Sequence, residues 1–495
     1  MNLTHTLDTA LDRERSTHEE MLDSLLTTAP QRLARRQLLL TLLFGLAGGL
    51  AAAAIQREWL TPPLDAFEAR TFGALLSLHG TLGIYFVMVP LFPAILGQSL
   101  LLDALGLERV VFPRLARASW QLLAAGGAIV LAGFVGGGTE AGWLFDGELG
   151  WQFAAPGVRT AAIGVLVGIL GISVLCTSQT ATILHWRRTT ARAQATPDLA
   201  TAFLLVALSG LVACAILASC VSVVLLDAAL GLSLFDASAG GDPELFTQGF
   251  RIAVSALQSI LLLGSLGAVS SVLAARSDES SGLRSTVALW LLAFTGLFAW
   301  LGPTSAPAAG PGSIAMEAVV SALAFASVTA LLAGQLRRLW RQPPALDAAG
   351  IYAIAFLPTL ALGLATSLLM AMPATRVMAS RTVLATTHLH WMVFAAPLLA
   401  FLAGLHRVWP RLARREVADG WGRIAAGLVV AGLYTTFLPL FVTGFAGQPF
   451  RANAYAGELQ ILHVLSAAGT TILVAGTLAM LVSLATGRRI RAGER

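Results

Sequence analysis

The chain has 495 residues, 56% of them hydrophobic and only 12% charged, with a formal net charge of +5 and a mean hydropathy of +0.75. That composition excludes an ordinary soluble enzyme. All 32 basic side chains are arginine, and they are scattered in short clusters, so nothing points to nucleic-acid binding.

In chain order, residues 1–35 are polar, with Glu14, Glu19, Glu20 and Asp23; they are no signal peptide and predict a cytoplasmic amphipathic helix. Apolar windows follow at about 37–55, 71–102, 118–137, 158–184, 200–230, 248–274, 285–302, 314–335, 352–372, 383–405, 422–446 and 460–485. Each comes near the roughly 20 residues that cross about 30 Å of hydrocarbon. The pattern lacks the short alternating strands of a membrane barrel. The expected fold is an all-α integral membrane protein, a twelve-transmembrane-helix bundle. The expected division is a cytoplasmic segment (1–35), a membrane domain (36–487) and a cytoplasmic basic tail (488–495).

Charge gives the orientation. With the N-terminus cytoplasmic, roughly 25 arginines fall on cytoplasmic segments and about six on outer ones, in keeping with the positive-inside rule. Arg187-Arg188, Arg337-Arg338-Arg341, Arg411-Arg414-Arg415 and Arg488-Arg489-Arg491 share one side, whereas Glu140, Asp146, Glu148, Asp236, Asp242 and Glu244 fall on the other. A multi-pass protein of a bacterial-type cytoplasmic membrane, both termini inside, is the expectation. The arginine-rich loops suit anionic membrane lipid.

Three histidines stand deep inside apolar windows. His79 lies in Ser77-Leu78-His79-Gly80-Thr81; His388 and His390 lie in Thr386-Thr387-His388-Leu389-His390-Trp391. An ionisable group within a membrane helix is costly and by default functional, and imidazole is a common ligand of metals and heme iron. His79 and His390 each lie about eight residues below the outer end of their helix, roughly 12 Å at 1.5 Å per residue. Two imidazoles at one depth on different helices can fill both axial positions of one heme. Gly80 would let a macrocycle approach the backbone. His388 stands about 200° around the helix from His390 and so faces a different site. His463 fits an interfacial or supporting role, and His185 and His406 fall at cytoplasmic helix ends. Cys176, Cys214 and Cys220 have no C-x-x-C or C-x-x-C-H spacing, which leaves covalent heme attachment, zinc and iron–sulfur clusters unsupported.

The ordered set of fragments resembles subunit I of the heme–copper oxidase superfamily, the cytochrome c oxidase type in particular. His79-Gly80-Thr81 with Tyr85-Phe86-Val87-Met88-Val89-Pro90 resembles the family's helix 2, and Phe112-Pro113-Arg114-Leu115 its loop before helix 3. His388-Leu389-His390 resembles the helix 10 heme motif, and Trp409-Pro410-Arg411 the loop after it. Phe437-Leu438-Pro439-Leu440 and Gly444-Phe445-Ala446-Gly447-Gln448-Pro449-Phe450-Arg451 resemble helix 11 and the loop beyond. The resemblance implies that His79 and His390 are axial ligands of a low-spin heme and that His388 is the proximal ligand of a second, high-spin heme. It makes Arg451 a propionate partner, a role that suits the planar guanidinium; the first arginine of the family's pair is Phe450 here.

The departures concern the second metal. The resemblance calls for three histidines, one on helix 6 and an adjacent pair on helix 7. Helix 6 here reads Arg251-Ile252-Ala253-Val254-Ser255-Ala256-Leu257-Gln258-Ser259, and helix 7 ends Trp300-Leu301-Gly302-Pro303-Thr304. Serine, glycine and proline cannot replace imidazoles around copper or non-heme iron. The family's lysine pathway has no lysine, its entrance aspartate aligns with Arg109, and its His-Asp pair before helix 10 reads Ser380-Arg381.

The expected function is therefore that of a divergent subunit carrying electrons through a bis-histidine heme of unknown type within a respiratory-type complex. A second heme on His388 stays open, and no copper is expected. Partners would be subunit II/III-like membrane proteins and cytochrome c or a similar donor. The alternatives are an active terminal oxidase or nitric-oxide reductase with an unrecognised second metal site, a heme-free structural or assembly paralogue, and a transporter or sensor sharing only the hydrophobic profile. Whether the chain is itself an enzyme stays open.

Overall fold

The structure, a computed structural model, describes residues 26–60, 67–135, 142–143, 156–190, 198–274, 282–298, 311–372, 375, 378–379, 381–450 and 455–491. Among these, no strand forms beyond two isolated bridges, and helix follows helix. We number them α1 (Pro30–Leu60), α2 (Arg70–Ala104), α3 (Pro113–Val135), α4 (Pro156–Thr189), α5 (Asp198–Leu230), α6 (Pro243–Leu273), α7 (Leu283–Phe298), α8 (Pro311–Arg341), α9 (Ala348–Ala371), α10 (Val383–Ala413), α11 (Asp419–Phe445) and α12 (Gln460–Thr486). Eleven are long and apolar enough to cross a membrane. The exception is α7, whose 16 described residues reach about 24 Å at 1.5 Å each; the end of its expected window, 299–302, lies outside the described residues.

The helices differ in what surrounds them. The most apolar windows of α2, α6 and α10 are 89%, 72% and 67% buried, against 28% for α1 and 22% for α12. Helices α2 and α10, which carry His79, His388 and His390, therefore form the middle of the bundle with α6, and the others wrap them. On α1 the two faces are plain: Leu39, Leu43, Leu46 and Leu50 are exposed, and Gln37, Thr41, Phe44, Gly48, Ala51 and Ile55 face inward. An apolar outward stripe is what lipid or a membrane partner would cover. The helix starts at Pro30, ahead of the apolar window at 37, because Leu33 and Ala34 are fully buried; Leu33 packs against Ala94, Ala116 and Leu175. Hydropathy finds the lipid-crossing part of a helix and misses turns buried against neighbours. The earlier part of the expected N-terminal segment, 1–25, lies outside the described residues.

Small residues let neighbours close up. A Cβ on Gly126 of α3 would stand 2.6 Å from the Gly164 carbonyl of α4, and one on Gly164 equally near the Gly126 carbonyl. At the arginine-rich end, Asp198 of α5 accepts from Arg338 of α8 at 2.6 Å and from Ser285 of α7 at 2.8 Å. One buried carboxylate thus joins three helices. The segment between α10 and α11 clasps the chain after α12: Glu416 N–H donates to the Arg488 carbonyl at 2.9 Å, and Ile490 N–H to that of Arg414 at 3.0 Å. The Arg488 guanidinium meets both Glu416 carboxylate oxygens, at 2.8 and 3.1 Å, and holds that exposed carboxyl below its ordinary range.

Candidate functional site

Wide turns follow both deep histidine stretches. After Thr81, α2 loosens into π-helical turns at Leu82–Met88 and again at Leu91–Leu96; after His390, α10 does so over Trp391–Ala395. Prolines explain them. Pro90, Pro93 and Pro397 each lack an N–H, and each ring presses on the carbonyl four residues back, at Phe86, Val89 and Val393. Such bulges re-aim side chains and often mark functional sites.

The structure brings His79 and His390 together. Their Nε2 atoms are 3.4 Å apart, and the rings lie 8° from parallel with centroids 5.7 Å apart. Each ring is held from behind. His79 Nδ1 is 3.0 Å from the Gly48 carbonyl of α1, and His390 Nδ1 is 2.8 Å from the Thr386 carbonyl of its own helix. A carbonyl only accepts, so both rings carry a proton on Nδ1, and when the rings are neutral two bare Nε2 lone pairs face each other. That juxtaposition is repulsive unless a cation lies between. Ligating histidines characteristically donate their other N–H to such a carbonyl. A slight separation of the pair from 3.4 Å would let the two Nε2 atoms hold a metal ion between them. The donor set fits the group that the sequence resemblance implies.

Aromatic packing fixes the α10 side. His390 lies 5.8 Å from the Phe437 ring of α11. Trp391 is fully buried, donates to the Thr359 carbonyl of α9 at 2.8 Å, and meets Tyr434 and Phe441 edge-on. On the α2 side, Ser77 Oγ accepts from Gly142 N–H at 2.8 Å and the Tyr85 hydroxyl donates to the Trp143 carbonyl at 3.2 Å. These bonds lay Trp143 over Gly80, where an added Cβ would come 2.9 Å from the indole. The hollow read from sequence as room for a macrocycle is taken here by Trp143.

His388 faces α9, away from His79. Its Nδ1 is 2.9 Å from Thr366 Oγ1 and its Nε2 is 3.5 Å from Ser367 Oγ. Both hydroxyls also donate to carbonyls of their own helix, Thr366 to Leu362 and Gly363, Ser367 to Gly363. Beside Leu389, between the two α10 histidines, a narrow cavity of about 10 Å³ is lined by Ile84, Trp143, Leu257 and Gln258 among others, room for about one water. On α6, Ser259 donates to the Ser255 carbonyl at 3.1 Å and packs on Gly296 of α7. Gly302 and Pro303 lie outside the described residues.

Arg451 also lies outside the described residues, but the chain just before it is anchored above the site. Val383 N–H donates to the Gln448 carbonyl at 2.9 Å, and Phe450 N–H to that of Arg381 at 3.0 Å. His463 donates from Nε2 to Gln448 Oε1 at 2.8 Å, with the Tyr455 ring tilted against its own at a centroid distance of 4.2 Å. His463 thus supports this strap. Sequence reasoning missed Gly48, Thr366 and Trp143. For Trp143 there was a signal, a tryptophan behind a glycine run; for the other two there was none.

The comparisons with known proteins identify the family. The chain matches the family "Cytochrome C and Quinol oxidase polypeptide I" over residues 32–472. It is 25% identical over 457 residues to cytochrome c oxidase subunit 1 of Synechocystis sp., covering 90% of this chain and 81% of that one. It is 26% identical over 482 residues to the Bacillus subtilis protein of the same name, covering 96% and 77%. Among solved structures, a heme-copper terminal oxidase dimer shares the fold at a TM-score of 0.78 and 16% identity, covering 93% of this chain and 85% of that one. The chain belongs to the cytochrome c and quinol oxidase polypeptide I family, the subunit I of heme–copper oxidases.

Proposed function

We propose that this subunit I keeps the low-spin heme site, with His79 and His390 as axial ligands, has lost the ligands of the second metal, and carries electrons within a respiratory-type membrane complex. One observation carries the reading: two Nε2 lone pairs on different helices converge at 3.4 Å while both Nδ1 atoms are committed to carbonyls. A heme held by His79 and His390 would supply one-electron exchange.

The chain's own residues do the rest. Gly48 and Thr386 fix the tautomers and keep both Nε2 atoms free to bind iron. Trp391 and Phe437 lock the α10 ring in place and keep water out. Arg451, one residue beyond the strap, would pair with a propionate. His388, with Thr366 behind its Nδ1, would hold a second heme from the opposite face of α10. The loss of copper rests on sequence: none of the eight histidines falls on α6 or α7, and Ser255 and Ser259 stand where ligands and their partners would be. The arginine-rich end would face the cytoplasm. Electrons would come from a subunit II-like protein or a cytochrome c.

The test is to purify the chain with its native partners and record oxidised, reduced and CO-treated spectra with iron and copper analysis. Sharp reduced bands indifferent to CO, with no stoichiometric copper, are expected. A CO-responsive fraction would add the His388 heme. Stoichiometric copper that stays with this chain after its partner subunits are stripped away would overturn the loss of the second metal.

A further inference from the structure

Away from the paired histidines, α9 and α10 bury a second polar pair near the arginine-rich end. Tyr352, early in α9, is fully buried, and its hydroxyl has no hydrogen-bond partner among the described residues. His406, seven residues before the end of α10, is 4% exposed. Its Nδ1 is 2.8 Å from the Leu402 carbonyl, which fixes the proton on Nδ1 and leaves a bare lone pair on Nε2. That Nε2 is also buried and without a partner among the described residues. The two rings are neighbours, with centroids 5.2 Å apart and planes tilted by 50°.

One orphan is a donor and the other an acceptor, and no bond joins them directly. Buried polar groups left without a partner are rare in folded proteins, and ordered water is the usual remedy. The polar character of this end continues on α12. Ser483 Oγ is buried and unpaired among the described residues, and it lies across Gly422 from Ala348, one turn before Tyr352. Trp409, three residues after His406, donates to the Leu484 carbonyl at 3.1 Å, so the three helices meet here.

We propose that Tyr352 and His406 form a buried water site, in which one water accepts a hydrogen bond from the Tyr352 hydroxyl and donates one to His406 Nε2, tying α9 to the helix that carries His388 and His390. The site is independent of the heme reading.

Radiolytic footprinting of the full chain in its native complex, in ¹⁸O-water, tests this directly, because a bound water is split in place and oxidises the side chains beside it. Tyr352 should be labelled severalfold more than Phe356, equally buried one turn further along α9. His406→Leu should abolish the Tyr352 label. Labelling of Tyr352 no greater than that of Phe356, or a label unchanged in His406→Leu, would overturn the site. Should that variant fail to fold, a high-resolution map of the wild type decides: density between Oη and Nε2 supports the site, and a direct Oη–Nε2 hydrogen bond contradicts it.

Discussion

Gly48 and His79 are joined across two helices by a hydrogen bond of 3.0 Å from the imidazole Nδ1 to the glycine carbonyl. His390, by contrast, takes its carbonyl from Thr386, one turn back on its own helix. The orientation of one ring is thus set within α10, while that of the other depends on the packing of α1 against α2.

The near-parallel rings predict a spectroscopic signature. Imidazoles whose planes coincide, here within 8°, donate π density into the same iron d orbital and separate the two dπ levels. The oxidised heme should therefore give a rhombic low-spin EPR spectrum. A strongly anisotropic single-feature signal would mean perpendicular planes and a different arrangement of His79 and His390.

Two glycines beside the site should respond in opposite ways. A Cβ on Gly48 would meet His79 O and Leu82 Cβ at 3.7 Å, ordinary contact, so Gly48→Ala should leave heme content and thermal stability nearly unchanged. On Gly80 the same methyl would come 2.9 Å from Trp143. Gly80→Ala should destabilise by about 1–3 kcal/mol, typical of overpacking, and alter Trp143 fluorescence. Equal tolerance of both changes would show that Trp143 does not rest on Gly80.

How much of this was legible in the sequence depends on what each feature is made of. The twelve-helix pattern was legible because hydrocarbon demands long apolar runs. The meeting of His79 and His390 could be read from their equal depth, and the divergence of His388 from its two-residue offset. Their supports could not be read: the Gly48 acceptor is a backbone atom common to every residue, and the Thr366 hydroxyl looks like any threonine in an apolar helix. His406 reads as a helix-end residue because its window is judged by distance along the chain, whereas its ring packs on Tyr352 of another helix. The early start of α1 is the same lesson, since Leu33 is buried by protein rather than lipid.

Thr366 gives a separate handle on His388. Thr366→Val keeps the shape but removes the acceptor from Nδ1, which at a buried site costs about 1–3 kcal/mol. If His388 ligates a second heme, the variant should shift the iron–histidine stretching band of the reduced, CO-responsive fraction and leave the bis-histidine bands in place. A change confined to thermal stability would make His388 a structural residue.

The clasp between Glu416 and Arg488 predicts a pH dependence. Because Arg488 holds the Glu416 carboxyl below its ordinary range, the contact contributes fully above the unfolded carboxylate pKa and is lost as pH falls through the folded one. At neutral pH, Glu416→Gln should mimic the acid state and speed hydrogen exchange at the Glu416 and Ile490 amides, both bonded across the clasp. Unchanged exchange would show that the backbone bonds hold the clasp without the ion pair.

Ligand-by-ligand replacement asks whether His79 and His390 together hold one heme. Wild type, His79→Ala, His390→Ala and His388→Ala should be purified with native partners and compared by reduced spectra and heme-to-protein ratio. Either of the first two substitutions should abolish the low-spin bands, whereas His388→Ala should leave them intact. Low-spin bands that persist in both His79→Ala and His390→Ala, or a wild-type protein that binds no heme, would contradict that shared ligation.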